Sequence, residues 1–248
     1  MGTNWKDAPD VASGFEAYDD LPERVVGYPA VFAELRLGTP GVRTVLDYGC
    51  GPGKVARRVV EAFDDTDVIG ADISARMLDI ARARRSHPRI GYRQVESGRL
   101  DFLPSGSVDA AMSCYVFINI GDRDAIRAIV AEVHRVLRPG ARYAVLDTNP
   151  ATTGVQFSKF RNGDPGRTYS TGELRRVLLD VPAGGTLELV DHHWPREVYL
   201  DALTEAGFTD VRAHEPLLGD GPPDAPAPHP ELTAERVHPP FLIVTGVK

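Results

Sequence analysis

The chain has 248 residues with 28 basic and 35 acidic side chains, a formal charge of −7. A size of this order suits one α/β domain and buries a large core without disulfides, while the acidic balance argues against a phosphate-backbone binder. Cys50 and Cys114 stand alone in their segments, which excludes a disulfide framework and a cysteine-based zinc site. No apolar run reaches the ~18 residues of a membrane helix. The polar start carries no export core, so a soluble cytoplasmic protein is expected.

Residues 1–40 read as a leader with helical segments. Phe15, Tyr18 and Leu21 are spaced by three, and Val31, Phe32 and Leu35 follow Pro29, a first-turn residue. From residue 42 the rhythm becomes strand, turn, helix. Strands are predicted at Val42–Asp47, Asp67–Ala71, Ile90–Val95, Ser107–Cys114 and Arg142–Leu146. Helices are predicted at Gly53–Phe63, Ala75–Arg85 and Asp124–Leu137, the last stopped by Pro139-Gly140. The arginines Arg82, Arg84 and Arg85 read as a solvated helix end. Residues 149–185 break the rhythm and predict an insertion of short or irregular pieces. Thr186–Trp194 alternates like a strand, Pro195–Ala206 reads as a helix, and Asp210–His214 and Phe241–Val247 as strands. Residues 216–240 hold eight of the 20 prolines, which predicts an extended connection.

Strands alternating with helices make a mostly parallel sheet covered on both faces, with ligands at the carboxyl ends of its strands. The strongest signal lies at such an end: Asp47-Tyr48-Gly49-Cys50-Gly51-Pro52-Gly53, running from strand to helix. Glycines at every second position let the backbone turn sharply and lie against a ligand. A dinucleotide loop wants a third glycine where Lys54 stands, and a phosphate-binding loop wants Ser or Thr where Val55 stands. Asp72 ends the second strand, where a carboxylate accepts both hydroxyls of a ribose.

Asp47-x-Gly49-x-Gly51-x-Gly53 resembles the first motif of class I S-adenosylmethionine-dependent methyltransferases. The resemblance covers residues 42–148 and implies a three-layer αβα, Rossmann-like fold. Its seven-stranded, mostly parallel sheet has a reversed last strand. A single domain over 1–248 is expected, with a helical lid at 1–40 and an acceptor-side insertion at 149–194. Asp47, Gly49, Cys50, Gly51 and Gly53 would cradle the amino-acid part of S-adenosylmethionine, which leaves as S-adenosylhomocysteine. Asp72 would take the ribose, with Ile73 and Met77 beside adenine. The family's usual adenine-side Asp falls on Ser97, a departure, with Gly98 and Arg99 as further contacts. Tyr115 follows the fourth strand, near the reaction centre, and Tyr18 and Tyr28 are placed to close over the cofactor. Within the family the chain is similar to small-molecule enzymes of natural-product pathways, and to toxoflavin-type azapteridine N-methyltransferases among them.

Transfer is an in-line displacement that needs alignment, exclusion of water and, for some acceptors, a base. His193 is the candidate base. Phe117, Phe160, Tyr169, His192 and Trp194 are candidate acceptor contacts, with Phe157 as a further wall. His192 and His193 point to opposite faces of a strand, so no metal is expected. The expected activity is methyl transfer to N or O of a small cyclic or aromatic metabolite in secondary metabolism, by a monomer or homodimer without nucleic-acid or membrane partners. RNA or protein methylation, nicotinamide-dependent oxidoreduction and a non-catalytic regulatory role are the competing readings.

Overall fold

The computed structural model describes residues 14–181, 185–219 and 229–248. After a helical turn at 14–17, a π-helical turn at Glu23–Gly27 runs into α1 (Tyr28–Glu34). There follow β1 (Thr44–Tyr48), α2 (Lys54–Ala62), β2 (Asp67–Asp72), α3 (Ala75–Arg84), β3 (Ile90–Gln94), β4 (Val108–Cys114), α4 (Arg123–Val136) and β5 (Leu137–Thr148). The rest comprises β6 (Phe160–Asn162), β7 (Leu174–Val181), β8 (Gly185–His192), α5 (Arg196–Glu205), β9 (Thr209–His214) and β10 (Phe241–Val247).

The main sheet has the order β3-β2-β1-β4-β5-β10-β9, with β10 antiparallel to both neighbours and the first five strands parallel. This is the expected seven-stranded architecture with a reversed last strand. Successive side chains serve opposite faces. Val45 packs with Val59, Leu78 and Leu146 on one side, and Leu46 packs with Val130, Val133 and Leu203 on the other. Each such side chain contributes about 1.5–3 kcal/mol by leaving water. α4 buries Ile126, Ile129, Val130, Val133 and Val136 along one stripe, and the Asp122 carboxylate caps it by accepting from the Asp124 amide.

Two expectations are corrected. Pro139-Gly140 does not separate a helix from a later strand, because β5 begins at Leu137. Leu137 pairs with Val108, the register then shifts, and the excursion is tied down by the Gly140 amide donating to the Lys248 carbonyl. The insertion is made of short or irregular pieces, as expected, only as far as residue 173, and β7 is a regular strand that was not expected. With β6 and β8 it forms an antiparallel sheet, β6-β7-β8. β7 escapes a sequence reading because one of its three buried positions, Arg175, Val177 and Leu179, is an arginine. That buried guanidinium sits opposite Asp191 on β8 and bonds its carboxylate at 2.7 and 3.2 Å and Thr148 Oγ1 at 2.6 Å. No helix among the described residues is long and apolar enough to cross a membrane.

Candidate functional site

The carboxyl ends of β1, β2, β4 and β5 open into a cavity of about 810 Å3. The glycine loop forms part of its floor. A Cβ on Gly49 would collide with the Val116 side chain, whereas one on Gly51 would meet nothing within 4 Å. Gly51 has φ +50 and lines the cavity, so its bare backbone leaves room for a ligand. Cys50 also lines the cavity. Gly53 caps α2 behind the loop, against Tyr92, and does not reach the lining.

Two acids stand on this floor. Asp72 Oδ2 accepts from the Gly51 amide and Oδ1 from the Ser74 amide, both at 2.8 Å, so it fixes the loop and the start of α3 together. Burial raises its pKa, against the lowering effect of hydrogen bonds from Ser74, Gly51 and Ile73. Asp47 is buried, and its Oδ2 finds no hydrogen-bond partner among the described residues. Burial, reinforced by the charge of Asp72, pushes its carboxyl up to about 7. Desolvated carboxylates with a vacant lone pair suit a cationic ligand, whose charge would restore their ionised form. The ammonium and sulfonium groups of S-adenosylmethionine fit this floor. Ile73, Met77 and Ser97 line the adjoining wall.

The adenine-side segment needs correction. Arg99 is exposed, pairs with Asp101 and Glu96, and stays outside the cavity. The Gly98 amide donates to the Tyr48 hydroxyl at 2.8 Å and so braces the segment from behind.

The N-terminal segment roofs the cavity through ties that no sequence motif marks. Lys54 Nζ donates to the carbonyls of Phe15 and Tyr18, both at 3.0 Å. Arg58 holds Asp20 through two 2.9 Å contacts, and Arg85 holds Glu16 at 2.7 and 2.9 Å. Arg84 also reaches Glu16 at 3.3 Å but stays exposed, so of the three clustered arginines Arg82 and Arg84 remain at a solvated helix end and Arg85 serves the roof. Tyr18 and Tyr28 line the cavity beneath it, as does Glu23. Glu23 is buried, and both of its oxygens accept from the Tyr18 hydroxyl at 3.0 and 3.2 Å. A leader acid ordinarily reads as solvated, so Glu23 gave no signal in the sequence.

On the acceptor side Phe160, Tyr115 and His192 line the cavity, joined by Val177, Leu179 and Leu189 of the small sheet. His192 Nδ1 lies 3.0 Å from the Gly172 carbonyl, and its ring stacks on Trp194. Four expected residues lie elsewhere. His193 follows the opposite face of its strand, with Nδ1 3.5 Å from the Arg175 guanidinium, and burial and that cation push its pKa down. It cannot meet an acceptor in this cavity. Phe117 is wholly buried against Tyr199. Trp194 is buried with Nε1 donating to the Phe117 and Ile120 carbonyls. Tyr169 bonds Asp164 outside the lining. Phe157 stacks behind Phe160. Among the described residues no group of three or more His, Cys, Asp or Glu side chains is placed to hold a metal ion.

Comparison with known proteins agrees with this geometry. Residues 45–140 match the family described as a methyltransferase domain. The chain is 41% identical over 253 residues to N-demethylindolmycin N-methyltransferase of Streptomyces griseus, covering 99% of each. It is 32% identical to a ubiquinone/menaquinone biosynthesis C-methyltransferase of Desulfotalea psychrophila, over 76% of this chain and 74% of that one. The crystal structure of an S-adenosylmethionine-dependent methyltransferase from Mesorhizobium loti superposes with a TM-score of 0.60 at 26% identity, over 89% of this chain and 96% of that one. With its sheet order, its glycine floor and these relatives, the chain belongs to the S-adenosylmethionine-dependent methyltransferases.

Proposed function

We propose that the protein methylates a nitrogen of a small, ring-bearing natural-product intermediate. The carrying observation is the roofed cavity. A volume of about 810 Å3 matches small-molecule sites, and the N-terminal segment, tied down by Lys54 and Arg58, and the small sheet narrow it, which suits a small acceptor better than a polymer. The full-length relative is named for N-methylation of N-demethylindolmycin, which supports nitrogen as the reacting atom.

When bound, S-adenosylmethionine supplies an already activated methyl group. The chain's own contribution is position and dryness. Asp72 and the backbone of Gly51 and Cys50 hold the donor's polar parts, and Asp47 meets its cationic end. Ile73, Met77 and Ser97 flank the ring, with Tyr18 and Tyr28 closing above. Tyr115, Phe160, Leu179, Leu189 and His192 wall the acceptor space and exclude water, so that the acceptor nitrogen is held in line.

The test is a methyl-transfer assay with N-demethylindolmycin and a panel of aromatic amines, followed by mass spectrometry. A mass gain of one methyl on an N–H acceptor is expected. Binding of S-adenosylhomocysteine without transfer to any N–H acceptor, or transfer confined to RNA or protein, would reject the reading.

A further inference from the structure

Two polar groups lining the cavity, Glu23 and Tyr115, are not among the residues assigned to the donor. Glu23 opens the π-helical turn, which closes with the Tyr28 amide donating to the Glu23 carbonyl. Single π-turns recur where a fold aims a side chain at a functional site. Here the carboxyl group is aimed inward, 5% exposed, against cavity walls that are mainly apolar. Tyr115, with φ +59, is the second group. Its buried hydroxyl finds no partner among the described residues, and Glu23 is the charge acting on it most strongly. A buried orphan hydroxyl is unfavourable, and a ligand's polar atom would relieve it.

We propose that Glu23 receives the N–H of the acceptor nitrogen and takes its proton, with Tyr18 steering the carboxylate and the Tyr115 hydroxyl bonding a polar atom of the same acceptor. This rests on the reading that nitrogen is methylated. In the step, the nitrogen lone pair forms the new N–C bond while the C–S bond breaks, its electron pair remaining on sulfur. The nitrogen's surplus proton passes to the Glu23 carboxylate, which later returns it to water. His193, outside the cavity, takes no part.

The groups facing Glu23 are consistent with a base. Tyr18, Asp20 and Tyr28 come from its own segment, Lys54 from α2 and Tyr115 from the end of β4. Burial is the main cause that lifts its pKa to about 8, with Asp20 adding and Tyr18 and Lys54 opposing. A base poised there accepts a proton from a methylated, cationic nitrogen far better than an ordinary carboxylate.

The experiment compares wild type, Glu23→Gln and Tyr115→Phe with N-demethylindolmycin as acceptor. S-adenosylhomocysteine affinity serves as the control for folding and donor binding. For Glu23→Gln, kcat/KM is expected to fall about 100-fold, with donor-product affinity kept within about threefold. The rise of wild-type kcat/KM through about pH 8 should vanish in that variant. Tyr115→Phe should raise KM and leave the pH profile in place. In parallel, the infrared band of a protonated carboxylic acid should titrate in wild type and be missing from Glu23→Gln. Wild-type rate and pH profile in Glu23→Gln would overturn the role of Glu23 while leaving nitrogen methylation intact. Absence of N-methylation by wild type would remove both.

Discussion

Lys54 Nζ donates to the Tyr18 carbonyl at 3.0 Å, which ties the first residue of α2 to the segment roofing the cavity. The same ammonium bonds the Phe15 carbonyl and lies 5.4 Å from the Phe15 ring. In a dinucleotide loop this position is a glycine that lets helix and strand approach. Here its side chain reports on the roof. Lys54→Met removes two charge-assisted bonds, so the roof should open more often. Hydrogen exchange at residues 14–20 is expected to speed up at least tenfold, with a weaker apparent donor affinity and an unchanged core.

Asp72 bridges the Gly51 and Ser74 amides, so its loss both strands two donors and removes a donor-side contact. Asp72→Ala is expected to weaken S-adenosylhomocysteine binding by at least about 100-fold in calorimetry. A variant that binds within threefold of wild type would remove Asp72 from the donor site.

Asp47 offers a proton-linked test. Its carboxyl is held at about 7, so near neutral pH a fraction is protonated in the free protein. A bound ammonium favours the ionised form. Binding of S-adenosylhomocysteine near pH 7 should therefore release a fraction of a proton, seen as a dependence of binding heat on the buffer's ionisation enthalpy. Asp47→Asn should abolish that dependence.

Stability should also fall with rising pH. Glu23 and Asp47 bind protons more tightly folded than unfolded, at about 8 and about 7 against an ordinary carboxylate range. Below that ordinary range both states are protonated and neither group matters. Above it the unfolded chain has lost its protons first, so the slope of stability with pH is negative until the folded groups ionise. The melting temperature of the free protein is expected to drop between about pH 5 and pH 8, and Glu23→Gln should flatten the drop.

The small sheet rests on a buried ion pair. Arg175 and Asp191 face each other across β7 and β8 with almost no exposure. Asp191→Ala leaves a buried guanidinium without its counter-charge and should cost about 3–5 kcal/mol in chemical denaturation. Replacing Arg176, whose bridge to Glu188 lies in solvent, should leave the denaturation midpoint almost unchanged.

The glycine turn and the strand ends that carry Asp47 and Asp72 into the cavity were legible because their constraints are local. The spacing of Asp47, Gly49, Gly51 and Gly53 and the position of Asp72 at a strand end are written consecutively. Apolar runs such as Val45-Leu46 mark strands buried on both faces. The acceptor half was not legible, because its rules are tertiary. β7 hides behind Arg175, whose partner Asp191 lies 16 residues away. The choice between His192 and His193 turns on which face of β8 meets the cavity, and strand alternation alone leaves that open. Glu23 matters only once a π-turn and ties through Lys54, Arg58 and Arg85 bring the leader over the sheet.

The most direct measurement is methyl transfer from S-adenosylmethionine carrying an isotope-labelled methyl group to N-demethylindolmycin, with the product read by NMR. The account predicts one labelled methyl, bonded to nitrogen, formed in many turnovers. A label found on carbon or oxygen, or no labelled product from protein that still binds S-adenosylhomocysteine, would contradict it.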